Sequence, residues 1–130
     1  TVTPDSNSPG TYTITNTNDS SMPAYVRFAV VVNWMKDGEI WAISTAEGTD
    51  YTVSGSGITK IDNYYYSNTD LVPNEFLTVD VTQKSQKADY TLNVQILAEA
   101  IQVIPESAVE EAWGVTYTIV DGEIKPILAN

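Results

Sequence analysis

The sequence predicts an all-β protein: an antiparallel β-sandwich, a jelly roll favoured over an immunoglobulin-like arrangement, with one short helix near residues 106–113. Three observations carry this. Apolar and polar residues alternate with period two in roughly eight or nine short stretches, the signature of half-buried strands. Turn residues separate those stretches, with Asp-Gly at two of the junctions. No repeat of a solenoid or propeller period is present.

Residues 1–10 (TVTPDSNSPG) hold two prolines, a glycine and small polar residues, and read as a terminal arm preceding a single sandwich domain over residues 11–130. Thr11 to Thr15 alternates as a strand, and Asn16 to Met22 is a polar turn cluster. Pro23 to Met35 carries the strongest strand signal. Ala24, Val26, Phe28, Val30, Val32 and Trp34 share one face. The other face is also apolar toward its C-terminal half, so this strand is expected to be central and covered on both sides.

Lys36 to Glu39 is a hairpin turn around Asp37-Gly38, leading into a strand over Ile40 to Thr45. Asp50 to Val53 is a short strand. Ile58 to Ile61 and Tyr64 to Tyr66 flank a second turn at Asp62-Asn63. Phe76 to Thr82 turns Leu77, Val79 and Val81 inward, and Asp89 to Val103 turns Leu92, Val94 and Ile96 to one face. The helix begins at Pro105-Glu106-Ser107, with Val109, Ala112 and Trp113 on one side and Gly114 as its C-cap. Val115 to Val120, the Asp121-Gly122 turn and Glu123 to Leu128 form a last hairpin whose second strand Pro126 is expected to break.

Composition narrows function by chemistry. The chain of 130 residues has neither histidine nor cysteine, which removes Ser–His–Asp and Cys–His catalysis, the usual zinc sites and disulfides together. With 6 Lys+Arg against 17 Asp+Glu the net charge is −11, a field that repels nucleic acid and anionic membrane surfaces. No apolar run is long enough to span a bilayer. Absent Cys, abundant Thr and Asn, and Thr1 in place of an initiator Met suit a processed, secreted chain at the cell surface or beyond it.

Several residue groups invite a functional reading. Glu106, Glu110 and Glu111 could form an acid/base pair, but helical spacing points them to solvent, so no catalytic site is expected. Asp19, Asp37, Asp62 and Asp121 sit in turns and are weak calcium candidates; turn chemistry is the favoured explanation of each. Tyr64-Tyr65-Tyr66 with Trp34, Trp41 and Trp113 could stack sugars, but the periodicity puts Trp34 and Trp113 in the core. An open sandwich has unpaired edge strands, to which a terminal arm of a second copy can add itself. Thr1, Val2, Thr3, Tyr12 and Ile14 are the expected assembly residues of such an arm, and Ile124, Ile127 and Leu128 those of an alternative C-terminal donor.

Thr13 to Trp34 (TITNTNDSSMPAYVRFAVVVNW) resembles the TVTNTG…AYVRV…NW signature of the TasA/camelysin family, secreted biofilm-matrix and surface-filament subunits of bacteria with archaeal relatives. Leu97 to Gly114 (LAEAIQVIPESAVEEAWG) is similar to that family's AEAIQ…P…AVEEAWG segment. Tyr64-Tyr65-Tyr66 followed by Val72-Pro73-Asn74 resembles its YYY…L.PGE hairpin. The resemblance spans about Thr11 to Val120. It implies a jelly-roll sandwich, secretion, and head-to-tail assembly of copies into an extracellular filament by donor-strand complementation. The metalloprotease label of camelysin is not implied, since the chain has no histidine. The contrasting expectation is a monomeric secreted module binding glycan or calcium.

Overall fold

The computed structural model describes residues 2–5, 8–17, 22–41, 43, 45–103 and 107–129. Two antiparallel sheets pack face to face. One has the order β1 (Val2–Pro4), β2 (Thr11–Thr15), β8 (Phe76–Gln83), β5 (Tyr51–Ser54). The other is built on β3 (Ala24–Lys36), with β9 (Thr91–Gln102) along one side. Its other side takes β4 (Glu39–Trp41) and β7 (Tyr64–Ser67), with β6 (Ile58–Ile61) beyond β7. The connections β2–β3, β4–β5, β5–β6, β7–β8 and β8–β9 each cross between the sheets, so the chain winds back and forth between the two layers of an antiparallel β-sandwich.

Alternation decides the core. Val26, Phe28, Val32 and Trp34 of β3 face inward and are buried, as are Leu77, Val79 and Val81 of β8; Phe28 and Val79 are fully enclosed. Leu92, Val94 and Ile96 of β9 pack against this cluster but stay half-buried, because β9 lies at the rim of its sheet. The opposite face of β3 is covered only at its N-terminal half. There α1 (Ser107–Trp113) and the hairpin of β10 (Val115–Val120) and β11 (Glu123–Leu128) bury Tyr66, Val109 and Val115 in a second, smaller cluster. The expectation that β3 is covered on both sides holds only there: Ala29 and Val31 stay half-exposed, since among the described residues no element lies over them.

Local chemistry explains the turns. Asp37 and Gly38 have φ of 54° and 79°, Asp121 and Gly122 of 51° and 84°, the left-handed pairs that two-residue hairpins demand. Gly114 (φ 69°) ends α1, and its N–H donates to the Glu110 carbonyl.

Three sequence expectations are revised. Of the strand expected over Ile40 to Thr45, the described residues form Glu39–Trp41, an exposed edge, while 42 and 44 lie outside the described residues. Pro126 does not break β11. The Ala129 N–H bonds to the Gly114 carbonyl, and this alternation puts Pro126 opposite Tyr117 in a pair that exchanges no ladder hydrogen bonds, where the missing N–H costs nothing. Finally, the terminal arm is docked in cis: Val2 pairs with Ile14, Thr3 with Thr13 and Pro4 with Tyr12. Val2 packs against the main core, and the Asp5 N–H donates to the Thr11 carbonyl at the end of the ladder.

Candidate functional site

One side of the sandwich is closed by the short β5–β6 connection; the other is an open seam between the β1–β2 edge and β9. The hydrogen bonds of β3 fix which groups of β9 face that seam. The N–H groups of Ala24 and Val26 point away from β9, to the Leu71 carbonyl and the Ser67 hydroxyl, while the Val103 N–H reaches the Pro23 carbonyl. In the observed register the odd-numbered residues of β9 therefore bond to β3. Leu92, Val94, Ile96, Ala98 and Ala100 turn their N–H and C=O groups outward. Among the described residues no strand pairs with that edge.

The edge is long and unguarded. Its twelve residues contain no proline and no lysine, and their one charge, Glu99, is neutralised within the sheet by Arg27 at 3.0 Å. Natural edges are normally blunted by just such residues. Two grooves flank the edge. One of about 370 Å³ is lined by Gly10, Tyr12, Val81, Leu92 and Val94. One of about 140 Å³ is lined by Ile14, Asn16, Val26, Ala98 and Ala100. The three-residue β1 approaches β9 across the seam but does not pair with it.

The expected assembly residues divide. Val2 and Thr3 lie in β1 and could move with an arm, whereas Ile14 is 2% exposed in the domain's own core and Tyr12 is a strand residue of β2. Ile14 cannot serve as a ligand for a neighbour without opening that core. Thr1 lies outside the described residues. Ile124, Ile127 and Leu128 are consumed in the β10–β11 ladder, yet their side chains remain exposed.

The acidic candidates do not converge. Asp37, Asp62 and Asp121 each occupy a separate hairpin turn at positive φ, the role turn chemistry gives them. Asp19 and Glu106 lie outside the described residues. Among the described residues no group of three or more metal-ligating side chains forms. Glu110 and Glu111 are exposed on α1. Of the proposed sugar platform, Trp34, Tyr65 and Tyr66 are buried and Trp113 packs on Tyr66; only Trp41 is well exposed.

Polar contacts pin the remaining segments. Tyr65 donates to the Glu47 carboxylate, which also pairs with Lys60 at 3.1 Å. Burial, and then the hydrogen bond to Glu47, hold the Tyr65 hydroxyl well above the ordinary tyrosine range. Tyr117, raised by burial, donates to the Ser67 carbonyl. The Asp50 carboxylate accepts from the Ser85 hydroxyl and the Ala46 N–H, which lowers its pKa. These groups fasten loops; the outward edge of β9 was missed by sequence reasoning, because alternation identifies faces of a strand and says nothing of its edges. Compared with known protein families, curated proteins and solved structures, the chain matches none.

Proposed function

We propose that this chain is a structural subunit of an extracellular protein filament, a biofilm-matrix or cell-surface fibre, whose copies join head to tail when a strand of one copy enters the β9 seam of the next. The observation that carries the reading is the unpaired, unguarded outer edge of β9 with a groove at either end. Backbone pairing supplies the attraction and the grooves take alternate side chains. A head-to-tail contact does not close on itself and so yields a fibre.

The donor is the segment 1–10. Its three ladder residues can exchange a cis edge for a trans one at small net cost, the logic of domain swapping. Fully extended, ten residues reach at most roughly 35 Å, enough to run along most of β9. Pro4 and Pro9 favour extended backbone, which lowers the entropy lost on docking. The role is structural, and the protein acts after secretion.

Negative-stain microscopy of the purified protein tests this. Filaments are expected from the native chain. Ala98→Pro removes an outward N–H while leaving the β3–β9 ladder intact, so it should keep native circular dichroism and lose the filaments. Deleting residues 1–10 should leave soluble folded monomers. Filaments from both variants would sink the reading; filaments from the truncated chain alone would move the donor to the C-terminal hairpin.

A further inference from the structure

The Asp5 N–H donates to the Thr11 carbonyl, so alternation makes Thr3 and Thr13 the next hydrogen-bonded pair of β1 and β2. Val2 and Pro4, opposite Ile14 and Tyr12, therefore turn their backbone groups away from β2, on the side where β1 approaches β9. Pro4 has no N–H to offer there. The Val2 side chain packs against the main core, on whose border lie Leu92, Val94 and Ile96 of β9.

The arm thus stops the seam without sealing it. Tyr12 lines the groove beside Leu92 and Val94, and Ile14 lines the one beside Ala98 and Ala100. Pro4 and Val2 stand level with those two residues of β2, and Ile96 of β9 lines neither groove. Among the described residues no ladder joins β1 to β9. The outward N–H and C=O groups of β9 therefore stay available to a strand whose facing edge carries its N–H groups. Three ladder residues and the packing of Val2 hold β1 in place. Short terminal strands of this kind open well before the domain unfolds.

We infer that β1 is an autoinhibitory stopper: docked in cis, it withholds the donor arm and blocks the β9 edge of the same copy, and its release makes both available together. The inference deepens the filament reading, since it names what governs entry to that site. An incoming strand displaces the stopper because it exchanges a contact without a ladder for a run of backbone bonds along β9. Its affinity is scaled by the fraction of chains whose arm is open. Nucleation needs two open copies at once and is slow. A copy at a fibre end whose arm already lies in its neighbour has a vacant seam, and growth proceeds from there.

The full chain carrying Thr3→Cys and Thr13→Cys tests this. Cα atoms of such a directly opposed pair lie about 5.5 Å apart, a separation that suits a disulfide. The native sequence has no cysteine to compete. Oxidation fixes the arm in cis, and reduction frees it in the same molecule. The probe is a synthetic peptide of residues 1–10, added in excess to dilute protein, its uptake read from hydrogen exchange at Leu92, Val94, Ile96, Ala98 and Ala100. The reduced chain is expected to bind the peptide and slow those amides. The oxidised chain should bind it at least roughly tenfold more weakly, and form no filaments until reduced. Gly10→Ala, whose Cβ would meet the Val81 carbonyl oxygen at 2.6 Å, should loosen the cis hairpin, tighten uptake and shorten the lag before fibres appear. Equal uptake by the oxidised and reduced chains would overturn the stopper and leave the filament reading standing. A chain that binds the peptide only when reduced, yet never polymerises, would uphold the stopper and overturn the filament reading. Neither uptake nor filaments in the reduced chain would overturn both.

Discussion

The guanidinium carbon of Arg27 lies 4.0 Å from the centroid of the Tyr64 ring, on the outer face of the sheet where α1 docks. It is the chain's only arginine. The same group sits 4.9 Å from the Trp113 ring of α1, and pairs with Glu99 of β9 at 3.0 Å. One side chain thus ties β3 to β7, to β9 and to the helix.

Removing that tie should loosen the helix first. Arg27→Ala is expected to cost about 2 kcal/mol, from lost cation–π contact and packing; the Glu99 pair adds little because Glu99 is half exposed. Arg27→Lys should recover only part, since a lysine lacks the planar group that spans both rings. Chemical denaturation would measure both, and a Lys variant as stable as the native chain would contradict the cation–π role.

Phe28 is fully enclosed and stacks on Tyr65 at 5.2 Å. Phe28→Ala should cost about 3–5 kcal/mol, the range for emptying a large buried site. Trp113 is only half-buried, so Trp113→Ala should cost less and act mainly on α1. Equal losses for the two would mean that the smaller cluster matters as much as the main one.

Stability should fall at both extremes of pH. The Ser85 hydroxyl, and then the Ala46 N–H, lower the Asp50 pKa, so between the folded and unfolded values the unfolded chain binds more protons. The Asp50 contribution is therefore present above about 3.9 and is lost as pH falls through the folded value. Asp50→Asn should flatten that part of the melting-temperature profile. Tyr65 and Tyr117, both raised chiefly by burial, act in reverse: their contribution is present below about 10 and is lost as pH rises through their folded values. In an alkaline titration followed by tyrosinate absorbance, some of the eight tyrosines should ionise only with unfolding.

Gly10 governs how the arm folds back. Its φ is 92°, and a Cβ there would stand 2.6 Å from the Val81 carbonyl oxygen, which is backbone and cannot give way. Gly10→Ala should destabilise the cis hairpin of β1 and β2, seen as faster proteolysis after residue 10 with the rest of the domain protected. Unchanged proteolysis would show that the arm is held from elsewhere.

Much of this fold was legible in the chain. Period-two alternation placed Phe28, Val79 and their neighbours inside, and Asp-Gly placed two hairpins, because both signals are local. What escaped depends on which partner a segment finds. Residues 1–10 read as a terminal arm, yet Val2 finds its hairpin partner Ile14 close by along the chain. Pro126 looked like a break because its harm depends on whether its pair exchanges hydrogen bonds, which only the register decides. The outward edge of β9 depends on elements distant in sequence and leaves no pattern in any single segment.

The one-sided pairing of β9 writes a residue-by-residue clock into its amides. In the isolated chain the N–H groups of Leu92, Val94, Ile96, Ala98 and Ala100 face outward, whereas the odd-numbered neighbours between them are locked to β3. Deuterium should enter this strand in alternation, fast and slow from one position to the next, within a single continuous element. Once a second strand lies along that edge the fast set must slow to join the other. The loss of the alternation reports occupancy of the edge at each position along it, with no label and no mutation.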